Sequence, residues 1–126
     1  MVTRGVTNAL ALAPMNLTEA EFDALARKTL DDIRAALEAS AVDADVEEKG
    51  EGVLEVEFAD GARMVINRHT AAREIWVAAR SGGFHFRWDG AAWRDTRDGG
   101  ELFAALSRLV SAQGGTAVVL APRTGR

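Results

Sequence analysis

The chain has 126 residues, 48% of them apolar, a formal charge of −4 and no cysteine. That length suits one domain with one hydrophobic core. The lack of thiols excludes disulfides, thiolate zinc sites, iron–sulfur ligation by this chain and a cysteine nucleophile. No run approaches the roughly 18 apolar residues of a membrane-spanning helix, and a cytoplasmic setting is expected.

Residues 1–14 are small, weakly apolar and nearly uncharged, and are expected to form a disordered extension to a domain over 15–121, with 122–126 as a flexible tail. Thr18 and Glu21 have capping-box spacing, and Leu17 and Phe22 sit where a hydrophobic staple would close it. Phe22, Leu25, Ala26, Thr29, Leu30, Ile33, Ala36 and Leu37 then recur at helical spacing, which predicts a helix over 18–39 packed on something flat. Acids continue beyond it, and 42–49 reads as a charged edge strand.

Val53 to Phe58 alternates with period two, so Leu54, Val56 and Phe58 face inward while Glu55 and Glu57 face out. Asp60-Gly61 predicts a hairpin into a partner strand over 62–67, with Met64 and Ile66 inward. Residues 68–72 are a connection. The densest aromatic stretch follows, with Trp76, Phe84, Phe86, Trp88 and Trp93 in alternating runs. Gly82-Gly83 and Asp89-Gly90 read as its turns, giving an antiparallel meander over 73–80, 83–88 and 91–96. Asp98-Gly99-Gly100-Glu101 reads as the cap of a second helix carrying Leu102, Phe103, Leu106, Leu109 and Val110, ended by Gly114-Gly115. Val118-Val119-Leu120 is expected to dock against the helices.

Strands joined by tight turns are antiparallel, and two amphipathic helices at the chain ends can cover one sheet face. The expectation is an α+β two-layer sandwich with a sheet of about five to six strands. Its other face meets water. Arg80 belongs to the same alternating set as Trp76, so Trp76 is read as outward; His85 shares that face.

Charge is unevenly spread. Met15 to Gly61 holds fourteen acids and four bases, whereas Ala62 to Arg126 holds five acids and ten bases. An acidic surface repels nucleic acid and attracts cations or basic protein patches. Carboxylates are hard ligands that suit iron, manganese, calcium or magnesium. No two-histidine metal motif, P-loop, dinucleotide fingerprint or nucleophile elbow is present, so no enzymatic activity is expected. A di-iron ferroxidase would call for Glu-x-x-His pairs, and the chain has none.

The runs Asn67…Ile75-Trp76-Val77-Ala78, Ser81-Gly82-Gly83-Phe84-His85-Phe86, Asp89-Gly90 and Trp93 resemble the bacterial frataxin (CyaY) family. Glu21-Phe22 with Leu25-Ala26 resembles its first helix, and Leu54…Phe58, Asp60-Gly61 and Ile66-Asn67-Arg68 its central strands. The resemblance implies a helix–sheet–helix sandwich that binds iron (Fe2+/Fe3+) weakly on an acidic ridge. It also implies docking on the cysteine desulfurase and scaffold machinery of iron–sulfur cluster assembly, as a regulator or alternatively as an iron carrier or store. The ridge would comprise Asp31, Asp32, Glu38, Asp43, Asp45, Glu47 and Glu48, with Asp23 as a further candidate. Asn67 and Trp76 would face the partner, joined by Glu55, Glu57 and His85 on the same sheet face. Relatives often carry acids where this chain has Arg34 and Ala35. A monomer is expected, with metal-dependent oligomers as the alternative.

Overall fold

The computed structural model describes residues 17–123. The expected extension over 1–14 and the last three residues of the expected tail lie outside that span. Helix α1 (Glu19–Ala39) is followed by six strands, β1 (Ala44–Glu48), β2 (Val53–Phe58), β3 (Arg63–His69), β4 (Glu74–Ala79), β5 (Gly82–Trp88) and β6 (Trp93–Asp95), and then by helix α2 (Leu102–Gly114). The strands form one antiparallel sheet in sequence order. Both helices pack on one of its faces, as expected.

The local reasons are those of the sequence. Thr18 Oγ1 accepts from the Glu21 backbone N–H at 3.1 Å, and Glu21 accepts from the Thr18 N–H at 2.9 Å, which completes the capping box. Gly115 adopts φ 72° and closes α2 in the left-handed region that favours glycine. Gly61 and Gly90 take φ 88° and 103° in their hairpin loops. The core is the continuous layer between helices and sheet. It holds Phe22, Ile33 and Leu37 from α1, Val56, Met64, Ile66, Val77 and Phe86 from the strands, and Leu106 and Val110 from α2. Trp93 stands edge-on to Phe22, and its indole N–H donates to Thr29 Oγ1 at 2.9 Å inside that layer.

Three local expectations change. Gly82 and Gly83 are not the β4–β5 turn: Ala79 pairs with Gly82, so the two-residue loop is Arg80-Ser81 and the glycines begin β5. Gly82, at φ 144°, takes the backbone that a tight loop imposes on its exit. Asp98 does not cap α2. Glu101 is the cap, accepting from the Phe103 and Ala104 N–H groups at 2.9 and 3.0 Å, while Asp98 is occupied with the Gly100 N–H. The third meander strand is only Trp93–Asp95: the Thr96 N–H still donates to the His85 carbonyl, but the Asp95 carboxylate accepts from the Arg97 N–H where the chain turns away. The 118–120 segment does dock: the Val118 and Leu120 N–H groups donate to Ser111 and Ser107 Oγ, and Leu120 is buried.

Candidate functional site

Opposite the helices the sheet is open, and register decides which residues meet there. Glu47 lies opposite Glu55, and Asp45 opposite Glu57. Glu55 neighbours Val65, and Asn67 lies opposite Trp76, which lies opposite His85. Side chains two apart share a face, so β1 and β2 contribute acids to the same surface on which β4 presents its tryptophan. All five expected partner-facing residues, Asn67, Trp76, Glu55, Glu57 and His85, sit on this face. Glu57 and His85 are exposed and the other three half-buried.

The ridge is divided. Glu38 from α1 joins Asp45, Glu47 and Glu57 around one open hollow at the β1 edge. Asp31 joins Glu48 and Glu51 at a second, where Arg27 and Arg68 also stand. Asp43 is exposed in the turn between α1 and β1. Two candidates fall elsewhere. Asp23 is half-buried against β3, 3.8 Å from the Arg68 guanidinium and within hydrogen-bond reach of Thr70. Asp32 is 3% exposed and ion-paired with Lys28 at 2.6 Å and Arg123 at 3.1 Å. A helical turn is about 100° per residue, so Asp32 points away from its neighbour Asp31, toward the end of the sheet that carries Trp88 and Trp93.

The ridge also carries its own cations. Arg34 lies between Glu38 at 3.3 Å and Glu48 at 3.9 Å, tying α1 to β1. Lys49 lies between Glu47 at 3.2 Å and Glu55 at 3.7 Å, and those carboxylates hold its ammonium above the usual lysine range, Glu47 foremost. Among the described residues no three His, Cys, Asp or Glu side chains converge on one point. The carboxylates are suited to hard cations by donor type, but they are dispersed and partly paired.

Sequence reasoning missed two residues of this face. His69 stacks on the Trp76 indole at 3.8 Å, and His85 stacks on its other side at 4.3 Å. Glu74, 6% exposed, accepts from the Trp76 indole N–H at 2.8 Å and from Arg87 at 2.6 Å. Period-two alternation through 69, 74, 76 and 85 carried the signal for a shared face, but not the ring contacts.

The match to the frataxin-like domain model runs over residues 15–116. The iron–sulfur cluster assembly protein CyaY of Dechloromonas aromatica is 59% identical over 104 residues, covering 82% of this chain and 99% of its own length. That of Cupriavidus metallidurans is 53% identical over 82% of this chain and 96% of its own. Among solved structures, a frataxin from Psychromonas ingrahamii superposes with a TM-score of 0.75 at 27% identity, covering 81% of this chain and 96% of that one. A trimeric yeast (Saccharomyces cerevisiae) frataxin complexed with ferrous iron gives 0.59 at 27% identity, over 82% of this chain and 93% of that one. A sheet in strict sequence order under two terminal helices, matched by a family model over most of the chain and by relatives along nearly their whole length, means that this chain belongs to the frataxin-like CyaY family.

Proposed function

We propose that this chain serves iron–sulfur cluster assembly as an iron-responsive regulator that docks on the cysteine desulfurase in the cytoplasm. The role in cluster assembly is carried by the relatives named for it. The observation that favours docking is the juxtaposition of Asp45, Glu47, Glu55 and Glu57 with Trp76 on one open sheet face. Acids steer a basic partner patch and set the salt dependence; a tryptophan on rigid strands fixes where the patch sits.

Iron is the modulator in this reading. Asp31, Glu38, Asp43, Asp45, Glu47 and Glu48 would hold it weakly, since their carboxylates are hard donors without a converging cage. Bound iron would neutralise part of the charge that attracts the partner and so report iron supply to the desulfurase. Asp32 is left out of this ligand set because it is buried with Lys28 and Arg123 away from the ridge, and Asp23 because it is half-buried beside Arg68 and Thr70.

The test is a binding titration with the cysteine desulfurase, with and without ferrous iron. Trp76→Ala and a Glu47→Lys/Glu57→Lys pair should each weaken the complex; unchanged affinity in either would contradict the docking reading. A second reading, an iron carrier or store, is favoured by the ferrous complex of the yeast relative. It requires that iron-loaded protein restore cluster formation to an iron-free scaffold faster than an equal amount of free iron does.

A further inference from the structure

We propose that His69 and His85 are positioning residues that clamp Trp76 in one orientation and present it to its partner edge-on; the proposal rests on the docking reading above. An indole on an open sheet face ordinarily samples several rotamers. Here it is held at three points. His69 lies parallel to one ring face at 3.8 Å and 11°, and His85 parallel to the other at 4.3 Å and 8°. The indole N–H is tied to Glu74, which Arg87 holds in turn. The clamp is itself anchored. His69 Nδ1 accepts from the Ala72 N–H at 3.2 Å, so its neutral ring carries the proton on Nε2. His85 Nδ1 stands 3.7 Å from Glu74 Oε1.

This arrangement sets what a partner can meet. Both faces of the indole are covered, so neither a guanidinium nor an aromatic ring of the partner can stack on it. What remains is the edge of the indole between the two imidazoles, with Asn67 opposite Trp76 on β3. Such a surface fits a polar peptide segment that can hydrogen-bond to imidazole edges, next to acids that fit its basic neighbours. Because the indole is ordered before binding, its ordering is not charged against the complex.

The test uses His69→Ala and His85→Ala beside the conservative His69→Phe and His85→Phe, which keep a flat ring without the imidazole nitrogens. The first readout is the Trp76 indole N–H resonance in the free protein, assigned by its loss in Trp76→Phe. Stacked rings shift and sharpen it; the alanine variants should move and broaden it, and the phenylalanine variants should restore it. The second readout is affinity for the cysteine desulfurase, which should fall about fivefold in each alanine variant and recover in part with phenylalanine, which restores the clamp but not the imidazole hydrogen bonds. An indole resonance unmoved by both alanine variants overturns the clamp. A resonance that moves while affinity stays the same, with Trp76→Ala still weakening binding, overturns its part in docking. Full affinity in Trp76→Ala itself overturns the docking reading instead, and leaves the resonance to report the clamp alone.

Discussion

Neighbouring carboxylates on a helix can have opposite fates. Asp31 faces the ridge and meets solvent, whereas Asp32, one residue on, is buried between Lys28 and Arg123. A burial pattern of this kind turns on where the C-terminal segment returns, which helical periodicity does not encode, so the sequence placed both acids on the ridge. Asp32→Ala is expected to cost about 2 kcal/mol, within the usual range for charge-assisted hydrogen bonds, in urea denaturation, and to leave iron binding unchanged. Arg34 is the converse case. It is a base on the acidic ridge, and it pairs with Glu38 and Glu48. Exposed pairs of this sort add only about 0.5 kcal/mol to stability, but the guanidinium competes with any cation for the same oxygens. Arg34→Glu should raise ferrous affinity roughly fivefold, the equivalent of about 1 kcal/mol of Coulomb energy at contact in water, measured by calorimetry in the absence of oxygen.

At the level of elements, the alternation of β2 and β3 and the stripe of α1 were legible because each has one buried face, and a one-residue slip would reverse every side chain. The turns were less so. Arg80-Ser81 rather than Gly82-Gly83 makes the β4–β5 loop because register is set by the apolar partners Val77 and Phe84 across it. The hairpin loops hold their own charges: Asp89 is kept below the usual carboxylate range chiefly by the Ala92 and Ala91 N–H groups, and Asp60 by the Ala62 N–H and then Arg80. Folded values below the unfolded ones mean that this stabilisation is present at neutral pH and lost as pH falls below about 4. Amide resonances of Ala62, Ala91 and Ala92 should titrate together in that range, and those of Ala91 and Ala92 should not in Asp89→Asn. Helix α2 ends in close approach: a Cβ at Gly114 would lie 2.5 Å from Val42 Cγ2 and 3.3 Å from the Phe58 ring. Gly114→Ala should therefore cost about 1–3 kcal/mol through overpacking, seen as a lowered thermal midpoint.

Across the whole molecule, the sequence already contained the division of charge, with acids concentrated before Gly61 and bases after it. The fold turns that linear division into a spatial one. Acids from α1, β1 and β2 gather at one edge, Arg87 and Arg94 stand toward the other on β5 and β6, and Trp76 lies between. The fold class and the outward tryptophan could be read in advance because both follow from periodicity. The histidine stack and the internal cations of the ridge could not, since they depend on pairs brought together from different strands: His69 with Trp76, Arg34 with Glu48, Lys49 with Glu55. Docking requires that charge and tryptophan act on one partner at one surface. Its most direct test is the affinity for the cysteine desulfurase measured over rising ionic strength, for the native chain and for Trp76→Ala. Exposed charges are screened over about 10 Å at 0.1 M salt, so affinity should fall steeply with salt in both proteins, with the Trp76→Ala line displaced to weaker binding at every point. Affinity independent of salt, or two coincident lines, would contradict the account.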